Sequence, residues 1–114
     1  MTYLISTRRL PEPAMVIAIE PQGEIGSAEA ADLLRSRFRM VVAATHPDCI
    51  VVDMSAVPAI SEDGLDALRS GQDTAAADDA SMVLVHAAPQ VRDQLRRNGF
   101  AELVDRSDRP QEDA

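Results

Sequence analysis

The sequence IVVDMSAVPAISEDGLDAL, residues Ile50 to Leu68, decides the reading of this chain. It opens on Ile50, Val51 and Val52, a short apolar run of the kind a strand shows when both its faces are covered. Pro58 breaks the run. Ser61 then restarts the chain as a helix, with Ile60 before the cap and Leu65 after it placed to form a hydrophobic staple, and Glu62 and Asp63 at the positive end of the helix dipole. The stretch is therefore a strand, a loop and a helix start. Unpaired backbone N–H groups gather in the first helical turn, so a partner group would meet the chain there.

Working outward, Ala14 to Glu20 is a second nearly continuous apolar run, closed by Pro21, Gln22 and Gly23, and reads as a buried strand. Tyr3 to Ser6 is a short edge strand, followed by Arg8, Arg9 and a Pro11-Glu12-Pro13 turn. Ser27 caps a helix in which Ala31, Leu34, Phe38 and Val41 or Val42 recur at helical spacing; it ends before His46 and Pro47. The helix that begins at Ser61 continues through Leu68 and the Ala-rich segment to a break at Asp78 and Asp79. Gly71, inside it, costs about 1 kcal/mol relative to alanine. Met82 to Val85 is a further strand. Pro89 starts a third helix carrying Val91 and Leu95, which Gly99 and Phe100 stop. Leu103 and Val104 suggest a short last strand, and residues 106–114 a polar tail.

Strands alternating with helices on this schedule imply an α/β fold. It has a mixed, mainly parallel sheet of four to five strands, three to four helices and right-handed crossovers, in a single domain over residues 1–105. With 114 residues, 46% hydrophobic and 26% charged, the chain can bury roughly two-thirds of its unfolded surface. Sites in such sheets form beyond the carboxyl ends of the strands, which places Ser55 to Gly64 at the working edge.

Composition narrows the function. A net charge of −8 repels nucleic-acid phosphates and anionic lipid, and 3% aromatic residues leave no base-stacking platform, so a basic protein surface is the expected partner. All 11 positive side chains are arginine. Without lysine there is no Schiff base, no Walker lysine and no receiver-domain lysine, so Asp53 at the end of its strand is read as a holder of loop N–H groups. His46 and His86 stand away from other ligand types, and no metal or cofactor is expected. No Gly-x-Ser-x-Gly elbow or glycine-rich phosphate loop is present, so no catalytic residue is assigned. Cys49, the single cysteine, cannot form an internal disulfide, and no apolar run approaches the ~20 residues of a membrane span. Those features, with no signal segment at the start, make the cytoplasm the expected compartment.

Gly23-Glu24-Ile25, Val51 to Ser55, the Ile60, Gly64, Leu65, Leu68 block and the Leu95, Gly99, Phe100 ending, in that order and spacing, resemble the STAS domain of bacterial anti-sigma factor antagonists. The resemblance spans about residues 14 to 104. It implies a non-enzymatic regulatory module that contacts a kinase-type anti-sigma factor or a signalling complex through Ser55, Ala59, Ser61, Glu62, Asp63, Gly64 and Leu65. A homodimer is compatible with it. In the family a serine two residues before the glycine accepts phosphate; here Glu62 stands there, a fixed charge where phosphate would supply about −1.5 to −2. Ser61 is the one displaced phosphoacceptor available. STAS domains also occur as subunits of lipid-exporting ABC transporters, the alternative reading; a small-molecule sensor or small enzyme ranks behind both.

Overall fold

The computed structural model describes residues 4–10 and 15–108. Four strands, β1 (Leu4–Leu10), β2 (Val16–Gln22), β3 (Cys49–Asp53) and β4 (Ser81–Val85), form one sheet in the order β1-β2-β3-β4. β1 runs antiparallel to β2, while β2, β3 and β4 are mutually parallel. The helices are α1 (Ala28–Thr45), α2 (Glu62–Ala77), α3 (Pro89–Leu95) and α4 (Ala101–Asp108).

The local signals account for the element boundaries. Ser27 caps α1, its side chain accepting from the Ala30 N–H at 3.0 Å. His46, held away from the helical region by Pro47, takes a left-handed φ of 45° and returns its N–H to the Val42 carbonyl. Its ring meets Asp78, the C-cap of α2, at 3.1 Å, which ties the ends of the two helices together. Pro89 occupies the first turn of α3, and Gly99, with φ 93°, turns the chain out of it through Arg96–Phe100.

Register fixes the core. Ile17, Ile50 and Met82 lie side by side across β2, β3 and β4, as do Ile19, Val52 and Leu84, and all six are buried. They form one cluster with Leu34 and Phe38 of α1, Leu65 and Leu68 of α2, Val91 and Leu95 of α3, and Leu103 and Val104 of α4. Gly71 is a notch for Phe38: a Cβ there would stand 2.7 Å from the ring Cγ.

Several expectations about element boundaries need correction. Leu103 and Val104 are not a strand but the buried stripe of α4, which packs beside β4. With Phe100 they fall at helical spacing, and Ala101 and Glu102 between them favour the helix, so all three apolar residues reach the core. The helix continues through Asp108, over part of the expected tail. β1 does not stop at Ser6 but carries Arg8 and Arg9 in its ladder to Leu10, because pairing with β2 along its whole length satisfies the backbone. Likewise Pro21 lies inside β2, opposite Ile5. The Pro11-Glu12-Pro13 turn and Ala14 lie outside the described residues.

Candidate functional site

The site is built where β2 and β3 deliver the chain to their crossover loops. Leaving β3, the Met54 N–H reaches the Val85 carbonyl at 2.8 Å, and the Val57 N–H returns to the Met54 carbonyl at 3.1 Å. The loop from Ser55 to Ser61 then runs alongside the turn that follows β2. Gly23 N–H donates to Ala56, Ile25 N–H to Ala59, and Ser61 N–H to the Ile25 carbonyl, in a short parallel bridge between Ile25 and Ile60. From the other side, the Gln94 amide of α3 donates to the Ile60 carbonyl at 2.8 Å. Both flanks of the loop are therefore fixed by partners far away in sequence.

Ser61 sits at the crossing point. Its hydroxyl oxygen accepts from the Gly64 N–H at 3.3 Å, capping α2, while the hydroxyl donates to the Ile25 carbonyl at 3.2 Å. Ile25 thus accepts from the backbone and the side chain of one residue. Gly64 has no room for a side chain: a Cβ would lie 2.6 Å from Ile60 Cγ1 and 2.8 Å from both Ile25 Cγ2 and the Ile25 oxygen. The backbone of α2 can approach the β2 turn this closely only at glycine.

The seven residues singled out from sequence separate into two groups. Ser55, Ala59, Glu62 and Asp63 are exposed along one edge. Ser61 is half-buried, and Gly64 and Leu65 are buried and hold the helix start against the core. The sequence reading of the site did not include Glu24. It is exposed and stands between Gly23 and Ile25, whose N–H groups bind the Ser55–Ser61 loop, so it adds a third carboxylate to Glu62 and Asp63 at this edge. The edge is acidic, with Ala56, Pro58 and Ala59 exposed beside the carboxylates.

Asp53 marks the sheet side of the same edge. One carboxylate oxygen accepts from the Ser55 N–H at 2.9 Å and stands 3.4 Å from His86 Nδ1. Burial pushes its pKa up. The Ser55 backbone and hydroxyl, with His86, outweigh that and hold the carboxyl below its ordinary range. His86 was not paired with Asp53 in the sequence reading. The parallel register, which aligns Asp53 with Val85, places the next residue beside it in a left-handed conformation of φ 62°. Ser55 bonds the carboxylate and not the imidazole, so the three residues do not form a nucleophile–base relay. Among the described residues no group of three or more His, Cys, Asp and Glu is arranged to hold a metal ion, and no helix is long and apolar enough to cross a membrane.

Known structures share this fold. The anti-sigma factor antagonist SpoIIAA in its unphosphorylated form superposes with a TM-score of 0.71 at 13% identity, over 86% of this chain and 84% of its own. An anti-sigma factor antagonist from Mycobacterium paratuberculosis gives 0.67 at 24% identity, over 87% and 81%. A sulfate transporter family protein from Wolinella succinogenes gives 0.69 at 26% identity, over 81% and 74%. No curated protein matches the chain by sequence. The STAS domain family profile covers residues 7–112, nearly the whole sequence, and the chain belongs to the STAS domain family.

Proposed function

We propose that the chain is a non-enzymatic regulatory module of the cytoplasm that docks, through the edge formed by Ser55, Ala59, Glu62 and Asp63, on the basic surface of an anti-sigma factor or a related signalling protein. The observation that carries this reading is the rigid presentation of exposed carboxylates at the start of α2, clamped by Ile25, Ile60 and Gln94. Fixing the charges in place before contact lowers the ordering cost of binding, and their sign steers a cationic partner. The likeness in fold to anti-sigma factor antagonists supports the choice of partner class.

On this reading Glu62 stands where the family pattern has its phosphoacceptor serine, and the edge keeps its negative charge without a kinase. Ser61 serves as the cap: phosphorylation there would remove the hydroxyl proton given to Ile25 and crowd the cap bond to Gly64. Contact through this edge is then constitutive and independent of phosphate.

Affinity purification of the tagged chain from its own cells, followed by titration with the captured regulator, tests the reading. Glu62→Lys with Asp63→Lys should weaken binding at least tenfold, while incubation with ATP and the regulator adds no phosphate by intact mass. Equal affinity of the double variant, or a phosphate mapped to Ser61, would overturn it. If the partner is a serine kinase, Glu62→Ser should restore an acceptor. The 26% identity to a sulfate transporter family protein favours a second reading, a cytoplasmic module serving a membrane transporter; capture of a permease in place of a signalling regulator would select it.

A further inference from the structure

The peptide plane between Ile60 and Ser61 is held from both sides. A trans peptide points its carbonyl and its N–H in opposite directions, so one rigid plane can be pinned at both ends. Here the Ser61 N–H donates to the Ile25 carbonyl at 2.9 Å, and the Ile60 carbonyl accepts from the Gln94 amide at 2.8 Å. The orientation of that plane sets the Ser61 cap, and with it the direction in which Glu62 and Asp63 leave the core. Ile25 is buried and belongs to the turn that follows β2. Gln94 is a weaker post: a half-buried side chain with several rotatable bonds, near the end of a helix of seven residues. Its aim depends on what holds the backbone from which it springs.

Two residues hold it. The Gln94 carbonyl lies in the last turn of α3, where intrahelical donors run out, and the Asn98 side-chain amide donates to it at 2.7 Å. Asn98 stands outside the helical region, at φ −113° and ψ 24°, immediately before the left-handed Gly99. Its own carbonyl accepts from Arg69 of α2 at 2.9 Å, and that guanidinium is held in turn by Asp66 and by the Phe100 ring beneath it. The bonds close a circuit: it leaves α2 at Arg69, passes through Asn98 and Gln94, and returns at Ile60, the residue before the α2 cap.

We infer that Asn98 is a positioning residue for the edge at Glu62 and Asp63, acting through Gln94, and that Arg69 keeps Asn98 in place. Among the described residues the hydrogen bonds of Asn98 run to Gln94 and Arg69 and none to the loop, so any influence on Ser61 must pass along the circuit. The consequence for binding rests on the docking reading above; the effect on the loop is independent of any partner.

Hydrogen exchange of the full chain, read amide by amide, tests the circuit. Asn98→Asp keeps the shape of the side chain and removes the donor. The amides of Ser61 and Gly64 should then exchange at least about fivefold faster, with those of β3 unchanged. Asn98→Ala is read in its place if the aspartate variant does not fold. Gln94→Leu should produce the same acceleration, and adding Asn98→Asp to it should change Ser61 and Gly64 no further, because the two act in series. Titration with the captured regulator should show binding weakened at least about threefold in either single variant, although both acidic side chains are intact. A merely structural Asn98 would speed exchange from Gln94 to Ala101 and leave Ser61 and Gly64 at the parent rate, which would overturn the inference; additive effects in the double variant would do the same. Binding that Glu62→Lys with Asp63→Lys weakens and Asn98→Asp leaves unchanged would overturn the positioning role. Binding indifferent to all of these substitutions, with the exchange pattern as expected, would count against the docking reading and support the circuit.

Discussion

Gly71→Ala is the substitution for which propensity and packing give opposite signs. Gly71 lies within α2 and is buried, and an added Cβ would fall among three ring carbons of Phe38, Cγ at 2.7 Å among them. Phe38 is 0% exposed and wedged between α1 and α2, so the ring cannot swing into solvent. Helix propensity alone favours alanine by about 1 kcal/mol. Overpacking a closed core costs about 1–3 kcal/mol, and contact with three atoms of a fixed ring belongs at the upper end. The difference is a net loss of about 2 kcal/mol. At about 2.1 cal/mol/K per residue, unfolding 114 residues carries about 0.24 kcal/mol/K, so the melting temperature should fall by about 8 °C. Thermal and urea unfolding of the two proteins measure it. The double-mutant cycle with Phe38→Leu isolates the cause, because in the smaller core Gly71→Ala should become neutral or stabilising by up to about 1 kcal/mol. An unchanged or raised melting temperature in the Phe38 protein would refute the notch.

Other outcomes follow from the remaining contacts. Ser61→Ala should cost about 1 kcal/mol, measured by urea titration, and Ser61→Asp should recover no more than part of it, because a carboxylate keeps the cap acceptor for Gly64 but cannot donate to the Ile25 carbonyl. Arg69 spans α2 and the Gly99 turn, with one guanidinium nitrogen 2.9 Å from the Asn98 carbonyl and its carbon 5.4 Å from the Phe100 ring centre; Arg69→Met should lose about 1 kcal/mol, after discounting for its exposure, and Arg69→Lys should not restore it. Asp53 is held below its ordinary pKa, so it contributes stability that is complete above the unfolded value near 3.8 and is lost as pH falls through the lower folded value. Asp53→Asn should lower stability at neutral pH and flatten the acid limb of the pH profile below about 4, and an acid limb identical to the parent would refute the assignment.

Sequence made the first four strands along the chain and most helix boundaries legible because their causes are local. The caps at Ser27 and Ser61, proline at 47 and 89, and glycine at 99 each act within a turn of where they stand. What escaped depends on partners distant along the chain. Leu103 and Val104 suit a strand or a helix, and only the presence of β4 beside them decides. The role of Gly71 requires Phe38, more than thirty residues earlier, and the bond between His86 and Asp53 requires the β3–β4 register. Burial divides the segment that the sequence singles out: Gly64 and Leu65 face inward while Glu62 and Asp63 face out. A pattern of residue types records which positions matter without recording which way each one points.

The carbonyl of Ile25, which accepts both the N–H and the hydroxyl of Ser61, joins two segments that the chain makes 36 residues apart. The acidic turn is consequently a property of the assembled sheet and not of the stretch that encodes it. A peptide copying residues 50–68 would carry every side chain of the edge, yet its helix start would lack the oxygen that anchors it. Transplanting the surface to another scaffold would require the turn after β2 to travel with it.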